Sequence, residues 1–326
     1  MSFYDPSQRG LVSQTLLKYG MNLSPAAQIW YVNGSTTAAQ LAPLGVGGSN
    51  GGSGQSPQEP FATIDYAVGR CNSNRGDVIC VLPGHVETIT AASGLAMDVA
   101  GVTVLGFGSG SIRPTLNFTT ATTATCVVSV ANCAMINLLF TGGFDALVSP
   151  LNVTGADFKL IDCEYRDVTG QCTDFLLTSA AADRMLVKDL RYDGATAAGT
   201  NAGIAIVGGD RITIDGLKMD GNFAVGGVDV RTTATTDLEF RNVQFRTRNA
   251  ADICLIDTIT GSTGLIGPNI QIQLADNGAN ITEAITGATF VYFGGGAAGP
   301  SSSGIDVVNL AGEAAIPINK TQSTDA

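Results

Sequence analysis

The sequence is short of charge, and above all of positive charge. Only 14% of its 326 residues are charged, and 17 Lys and Arg stand against 28 Asp and Glu, which gives a formal net charge of −11. The basic residues are scattered along the chain, whereas phosphate backbones and anionic lipids require clustered Lys and Arg. We therefore expect neither nucleic acid nor a membrane as the main partner.

Long apolar runs and metal-binding motifs are also missing. No stretch approaches the 18 or so apolar residues of a membrane span, and the N-terminus lacks the basic and apolar regions of a Sec-type signal peptide. The seven cysteines lack C-x-x-C spacing, and several fall at positions predicted to be buried. They therefore indicate free thiols of a protein made in a reducing cytoplasm, and we expect no cofactor and no metal.

What the sequence does contain is a repeat of about 25 residues. Its pattern is apolar, any, apolar, any, any, apolar, any, apolar, as in Phe158-Leu160-Cys163-Tyr165. Period-2 alternation turns one face of a strand inward, and each period holds two or three short strands with no room for a helix. The sequence therefore predicts an all-β, right-handed parallel β-helix. The predicted repeat core comprises Phe158, Leu160, Met185, Val187, Leu190, Ile212, Ile214, Leu217, Leu238, Phe240 and Val243.

A bend interrupts each apolar quartet, and the residue before its third apolar position is of one chemical kind. Asn, Asp and Gly tolerate the left-handed backbone that such a bend requires, and stacked Asn and Asp side chains could form a ladder of hydrogen bonds. We interpret these residues as a structural turn ladder, made of Asn137, Asp162, Asp189, Gly216 and Asn242.

The ends of the repeat predict caps and arms. Residues 29–293 are assigned to the β-helix, with a short N-terminal capping helix over 60–71 that starts at Pro60. Residues 294–326 are assigned to a linker and a C-terminal arm. Residues 1–28 precede the entry strand, so we expect an N-terminal arm that the β-helix cannot bury and that docks elsewhere through Leu11, Leu16 and Leu17.

The entry segment carries a family resemblance. The stretches IWYVNGST (29–36), GGSGQSPQEPFATIDYAV (51–68) and GDVICVLPGHVETI (76–89) are similar to the start of pectate-lyase-like β-helix proteins, which are frequent among bacteriophage particles and bacterial surface proteins. The resemblance covers about residues 29–90 by motif and 91–260 by repeat. It implies the fold more specifically than the function, and it also implies a homotrimer.

Catalytic motifs are not evident. The Asn-Thr-Asp, Asp-Asp, Gly-His-Gly and Arg-Ile-Lys segments of polygalacturonase-like proteins are absent, and the single histidine, His85, has no evident nucleophile partner. Asp162 and Asp189 on adjacent coils could lie about 5 Å apart, the separation used by retaining glycosidases. Their bend position explains both residues, so we expect no catalytic residue and a protein that is not an enzyme.

These observations leave three functional hypotheses. The first is a non-enzymatic structural protein of a phage virion, a homotrimeric capsid decoration (cement) protein on the capsid surface that bridges major capsid proteins and is assembled in the host cytoplasm. The second is a tailspike or tail-fibre adhesin that binds or cleaves host polysaccharide, and in this case a host glycan is the partner. The third is a bacterial surface or secreted β-helix enzyme or adhesin.

Overall fold

Three parallel β-sheets wind around a common axis in a computed structural model that describes residues 6–34, 46–168, 172–196, 199–248, 253–273, 283–285 and 288–292. Each coil contributes one strand to sheet A, then one to sheet B, then one to sheet C. The predicted right-handed parallel β-helix is therefore confirmed.

Sheet A holds the strand that opens each coil. In spatial order its strands are β1 (Ile29–Val32), β2 (Val78–Val81), β5 (Thr103–Gly106), β8 (Ala134–Ile136), β11 (Lys159–Ile161), β14 (Leu186–Lys188), β18 (Thr213–Asp215), β22 (Leu238–Arg241), β25 (Thr263–Ile266) and β28 (Thr289–Tyr292).

Sheets B and C complete the coils. Sheet B consists of β3 (Val86–Thr88), β6 (Thr115–Phe118), β9 (Leu139–Gly142), β12 (Glu164–Asp167), β15 (Arg191–Asp193), β19 (Lys218–Gly221), β23 (Val243–Thr247) and β26 (Ile270–Gln273). Sheet C consists of β4 (Leu95–Met97), β7 (Cys126–Val128), β10 (Leu151–Val153), β13 (Asp174–Thr178), β16 (Thr200–Ile206), β20 (Phe223–Val230), β24 (Leu255–Asp257) and β27 (Glu283–Ile285). A small pair, β17 (Gly209–Asp210) and β21 (Thr235–Thr236), lies between coils.

The coils stack in register, so equivalent residues of the repeat lie beside one another. Leu160 pairs with Met135 on one side and with Val187 on the other. All eleven residues of the predicted repeat core are at most 1% exposed. Next to them lies an internal aromatic column formed by residues of sheets B and C, in which Tyr165 stacks on Phe175 with ring centroids 4.5 Å apart and on Tyr192 at 5.2 Å. Burial of this continuous apolar interior stabilises the solenoid.

The bend between sheets A and B has left-handed backbone in the residues of the turn ladder. Their φ angles are 54° for Asn137, 52° for Asp162, 53° for Asp189, 80° for Gly216 and 53° for Asn242. Main-chain hydrogen bonds join successive bends, as from Asp162 N–H to the Lys188 carbonyl at 2.9 Å. Asn269 is the residue equivalent to Asn242 on the next coil, and its side chain donates a hydrogen bond to the Asn242 side chain at 2.9 Å.

The capping helix is shorter than predicted and does not begin at Pro60. Helix α2 spans Ile64–Val68, and the hydroxyl of Thr63 caps its N-terminus by accepting a hydrogen bond from Tyr66 N–H at 3.3 Å. Phe61 is extended because its N–H and carbonyl pair with Tyr31 and Asn33 of the entry segment. Ile64, Ala67 and Val68 close the end of the core.

The expectation that the β-helix cannot bury the N-terminal arm is wrong. Helix α1 (Pro6–Lys18) packs Val12 and Leu16 against the outer face of sheet A, where they are 2% and 1% exposed. This face is apolar in the first coils, so the arm has a partner within its own chain. Leu11 and Leu17 are exposed, and Leu16 is not available to dock elsewhere.

Two further features noted in the sequence are the cysteines and the lack of long apolar runs. All seven cysteines are buried, and burial raises the pKa of the Cys163 thiol to about 12. Among the helices that the structure describes, none combines the length and the apolar character needed to cross a membrane.

Candidate functional site

The outer face of sheet B carries two straight rows of side chains that are polar except for Leu139, and we call it the sheet B face. Because the coils are in register, residues from successive strands follow one another at about 4.8 Å. The first row reads Leu139, Glu164, Arg191, Lys218, Gln244, and the second reads Thr141, Arg166, Asp193, Asp220, Arg246.

Glu164 lies at the centre of the sheet B face and is buried beneath arginines. Its Oε1 accepts a hydrogen bond from Arg166 Nε at 2.6 Å and lies 3.7 Å from Arg191 Nε, and its Oε2 accepts one from Arg113 Nη1 at 3.1 Å. The Glu164 side chain is only 7% exposed, whereas those of Arg166 and Arg191 are 48% and 64% exposed. The carboxylate therefore orients guanidinium groups whose outer N–H groups face solvent.

The basic residues of this region fall into two groups. Arg248 holds three coils together, with Nε 2.7 Å from Asp220, Nη2 3.0 Å from Asp193 and Nη1 3.0 Å from Thr196. Arg191 and Lys218, by contrast, are exposed on adjacent coils. A local excess of positive charge therefore lies on a chain whose net charge is −11.

A second carboxyl group, that of Asp167, lies at the C-terminal end of strand β12. Asp167 accepts hydrogen bonds from the Tyr165 hydroxyl at 2.5 Å, from Ala195 N–H at 3.2 Å and from Cys172 N–H at 3.3 Å. Burial raises the pKa of Asp167 to about 6, and the hydrogen bonds oppose that shift. The Asp167 carboxyl group therefore takes up a proton at a higher pH than an ordinary aspartate does.

The structure brings part of the predicted turn ladder to the edge of the sheet B face. Asp162 accepts a hydrogen bond from the Tyr19 hydroxyl at 2.9 Å, and its carbonyl oxygen accepts one from Arg113 Nη2. Asn137 supports the loop that leads to Arg113, since its side chain donates to the carbonyls of Gly106 at 2.8 Å and Gly108 at 3.0 Å. The ladder positions nearest the sheet B face therefore hold neighbouring segments in place.

The other ladder positions lie further along the axis. Asp189 lies against Gly216, where an added Cβ would come 2.4 Å from Asp189 Oδ1. The Asn242 side chain donates to Asp215 Oδ1 at 2.6 Å. Asp162 is thus held by Tyr19, whereas Asp189 lies beside the next bend.

His85 is an interior residue of the first coil. It is fully buried, its Nδ1 accepts a hydrogen bond from Gly34 N–H at 2.7 Å, and its Nε2 lies 3.2 Å from Glu87 Oε2. Glu87 in turn accepts from Ile64 N–H at 3.0 Å, at the start of α2. These contacts connect the entry segment, the first coil and the capping helix, and they leave His85 no access to a ligand.

Sequence analysis assigned neither Arg113 nor Glu164 to a functional site. Arg113 lies in the loop between β5 and β6, which includes a 3₁₀ turn at Gly110–Ile112, and it is 51 residues from Glu164. The one available signal was the outward row that begins Glu164, Arg191, in which opposite charges lie side by side on adjacent coils. Across the ranges that the structure describes, no group of three or more His, Cys, Asp or Glu could hold a metal ion.

Comparisons with known proteins give the fold. No protein-family model and no curated protein matches the chain. A solved structure of a rhamnogalacturonan lyase is similar, with a TM-score of 0.51 and 12% sequence identity over 78% of this chain and 75% of that chain. At this identity the similarity supports the pectate-lyase-like parallel β-helix, and it gives no indication of a phage origin.

The same comparison corrects the expectation that the chain is not an enzyme. The protein of similar fold is named a rhamnogalacturonan lyase, so this fold is compatible with an enzyme. Our expectation depended on missing motifs of polygalacturonase-like hydrolases. The absence of one set of catalytic groups does not exclude a different chemistry, because one fold supports many kinds of site.

Proposed function

We propose that the protein binds an anionic polysaccharide along the sheet B face and cleaves it as a lyase. The single observation that carries this proposal is the buried Glu164 beneath Arg113, Arg166 and Arg191. Guanidinium groups held in this way present N–H donors that match the geometry of a carboxylate. The similarity to a rhamnogalacturonan lyase supports the reaction class.

The chemistry of such a reaction fits a cationic site. In a β-elimination a base removes the proton on the carbon next to a carboxylate, a carbon–carbon double bond forms, and the glycosidic oxygen leaves. Negative charge develops on the carboxylate side of that carbon, and preorganised positive groups lower the barrier most where charge develops. We assign Arg166 and Arg191 this binding and stabilising role.

The experiment measures binding and turnover of polygalacturonate, with dextran as the uncharged glycan. We expect binding of polygalacturonate only, and formation of unsaturated ends detected by ultraviolet absorbance. Arg191→Ala should weaken binding about tenfold or more, because a charged hydrogen bond contributes about 1.5–3 kcal/mol. Lys188→Ala is the matched control, since Lys188 is exposed on sheet A of the same coil. Equal effects of the two substitutions would contradict the proposal.

The particle role predicted from the sequence remains a separate proposal. The capsid location, the homotrimer and the contact with major capsid proteins stay predictions drawn from the family resemblance. Light scattering of the purified chain tests the trimer, and sedimentation with phage heads tests the location. A monomer that stays in the supernatant would contradict both.

A further inference from the structure

The end of α1 is fixed in direction by its own sequence. Gly20 has φ of +72°, Gly20 N–H donates to the Leu17 carbonyl at 3.0 Å, and Met21 N–H donates to the Leu16 carbonyl at 3.0 Å. This is the Schellman arrangement that ends a helix at a glycine. Tyr19 is the last residue before that glycine, so the buried helix sets where its side chain lies.

The segment after α1 is braced against the helix. The Arg9 guanidinium donates to the Ala27 carbonyl at 2.8 Å, to the Ser24 carbonyl at 3.0 Å and to the Pro25 carbonyl at 3.2 Å. Helix and connection therefore form one unit that is docked on sheet A through Leu16. Tyr19 extends from this unit toward the bend between sheets A and B.

Tyr19 reaches the turn ladder at one residue. Its hydroxyl donates to Asp162 Oδ2 at 2.9 Å. Burial, and after it this hydrogen bond, raise the pKa of Tyr19, so the phenol stays protonated and keeps donating at neutral pH. Asp162 has left-handed backbone, its N–H donates to the Lys188 carbonyl at 2.9 Å, and its own carbonyl accepts from Arg113 Nη2.

Arg113 depends on Asp162 for its orientation. Its Nη2 donates to the Asp162 carbonyl, and its Nη1 donates to Glu164 Oε2 at 3.1 Å. Its Nε is buried and has no hydrogen-bond partner in the described part of the chain. The guanidinium is therefore oriented by its two terminal nitrogens alone, one on Asp162 and the other on Glu164.

We infer that Tyr19 is a positioning residue for the sheet B face, acting through Asp162 and Arg113 on Glu164 and its exposed arginines. This inference depends on the proposed function for its ligand, an anionic polysaccharide. Docking of α1 then does more than cover an apolar surface. It sets the arrangement of the guanidinium groups that contact the ligand, and loss of the Tyr19 contact with Asp162 lowers affinity without unfolding the β-helix.

The test compares two tyrosines of the same region that lose only a hydroxyl group. Tyr19→Phe removes the bond to Asp162, and Tyr31→Phe removes a bond of equal length, 2.9 Å, to Gln8 Oε1 of α1. Both substitutions remove a hydrogen bond of the N-terminal arm, but only the bond of Tyr19 is connected through Asp162 to Arg113. We expect Tyr19→Phe to weaken polygalacturonate binding about three- to tenfold, and Tyr31→Phe less than about twofold.

A double-mutant cycle and a spectroscopic measurement complete the test. In an Arg113→Ala background, Tyr19→Phe should cause no further loss, because the two residues act in series. The Arg113 Nε–H resonance should shift in Tyr19→Phe and stay in place in Tyr31→Phe. Equal affinities for the two variants, or an additive cycle, would overturn the inference.

The resonance separates this inference from the proposed function. If the wild-type chain binds no polyanion, the proposed function fails, but the Arg113 resonance still reports whether Tyr19 positions the guanidinium. A resonance that does not move in Tyr19→Phe would overturn the positioning role by itself.

Discussion

One outward row of sheet A changes character halfway along the solenoid. On the first five strands it reads Tyr31, Cys80, Leu105, Ile136, Ile161, and on the next three it reads Lys188, Asp215, Arg241. The positions are equivalent in the repeat, so the backbone does not explain the change. Helix α1 covers the first group and leaves the second group open to solvent.

The length of α1 matches the length of sheet A over which the outward row is apolar. Thirteen residues of α-helix span about 20 Å, and the four spacings between β1 and β11 add up to about 19 Å. Whether an outward residue of sheet A is apolar or polar thus depends on whether α1 packs over it. The comparison between the covered and the open part of sheet A leads to four predictions.

The largest effect should come from weakening the contact of α1 with sheet A. Leu16→Ala should lower the free energy of unfolding by about 2–4 kcal/mol, because the side chain is 1% exposed and its loss leaves a cavity. Leu17→Ala is the control, since Leu17 is 56% exposed and should change stability by no more than about 0.5 kcal/mol. Urea unfolding measures both. A harmless Leu16→Ala would mean that α1 does not stabilise the covered part.

The second prediction compares two carboxyl groups whose pKa values are shifted in opposite directions, Asp167 and Asp157. The pKa of Asp167 is raised to about 6 in the folded state, so its ionised form costs stability at pH 7, and stability is gained as the pH falls through 6 toward 4. Asp167→Asn should remove about 1–2 kcal/mol of this pH dependence, a reduced figure because the group is partly exposed. Urea midpoints at pH 7, 6, 5 and 4 measure it.

Asp157 is the control of opposite sign. The hydrogen bond from Arg184 lowers the pKa of Asp157, with Arg184 Nη2 2.6 Å from Asp157 Oδ2. Its contribution is present above the unfolded pKa and is lost as the pH falls through the lower folded value. Asp157→Asn should therefore leave the pH dependence between 7 and 5 unchanged, and equal slopes for the two variants would contradict the assignment of Asp167.

The inside of this protein could be predicted from sequence more fully than its outside. The apolar quartets repeat in every coil, so the register of Leu160 or Ile214 follows from spacing alone. The cover could also have been found, because VICV (78–81) and TVLG (103–106) lack alternation, and strands without alternation are covered on both faces. The contact of Arg113 with Glu164 could not have been predicted, since it joins an irregular loop to a strand that lies two coils further along the solenoid.

The third prediction tests the turn ladder on the open side. Gly216→Ala should destabilise the protein by about 1–2 kcal/mol, because φ is +80° and the new Cβ would contact the Asp189 side chain. Asp189→Gly is the reverse change at the neighbouring bend, where φ is +53°, and should alter stability by less than about 1 kcal/mol. Thermal unfolding distinguishes the two. Equal losses would show that the ladder depends on side-chain contacts and not on backbone conformation.

The smallest effect should come from the open part of the row itself. Arg241 Nε lies 3.1 Å from Asp215 Oδ2, and the Arg241 side chain is 35% exposed. Solvent screens such a pair and side-chain entropy opposes it, so Arg241→Ala should cost less than about 1 kcal/mol, and 1 M salt should remove most of that loss. Lys188→Ala should cost less still, because Lys188 is exposed on the same row. A loss above about 2 kcal/mol that persists at high salt would mean that Arg241 packs as a covered residue does, and the boundary after Ile161 would then have to move by three coils.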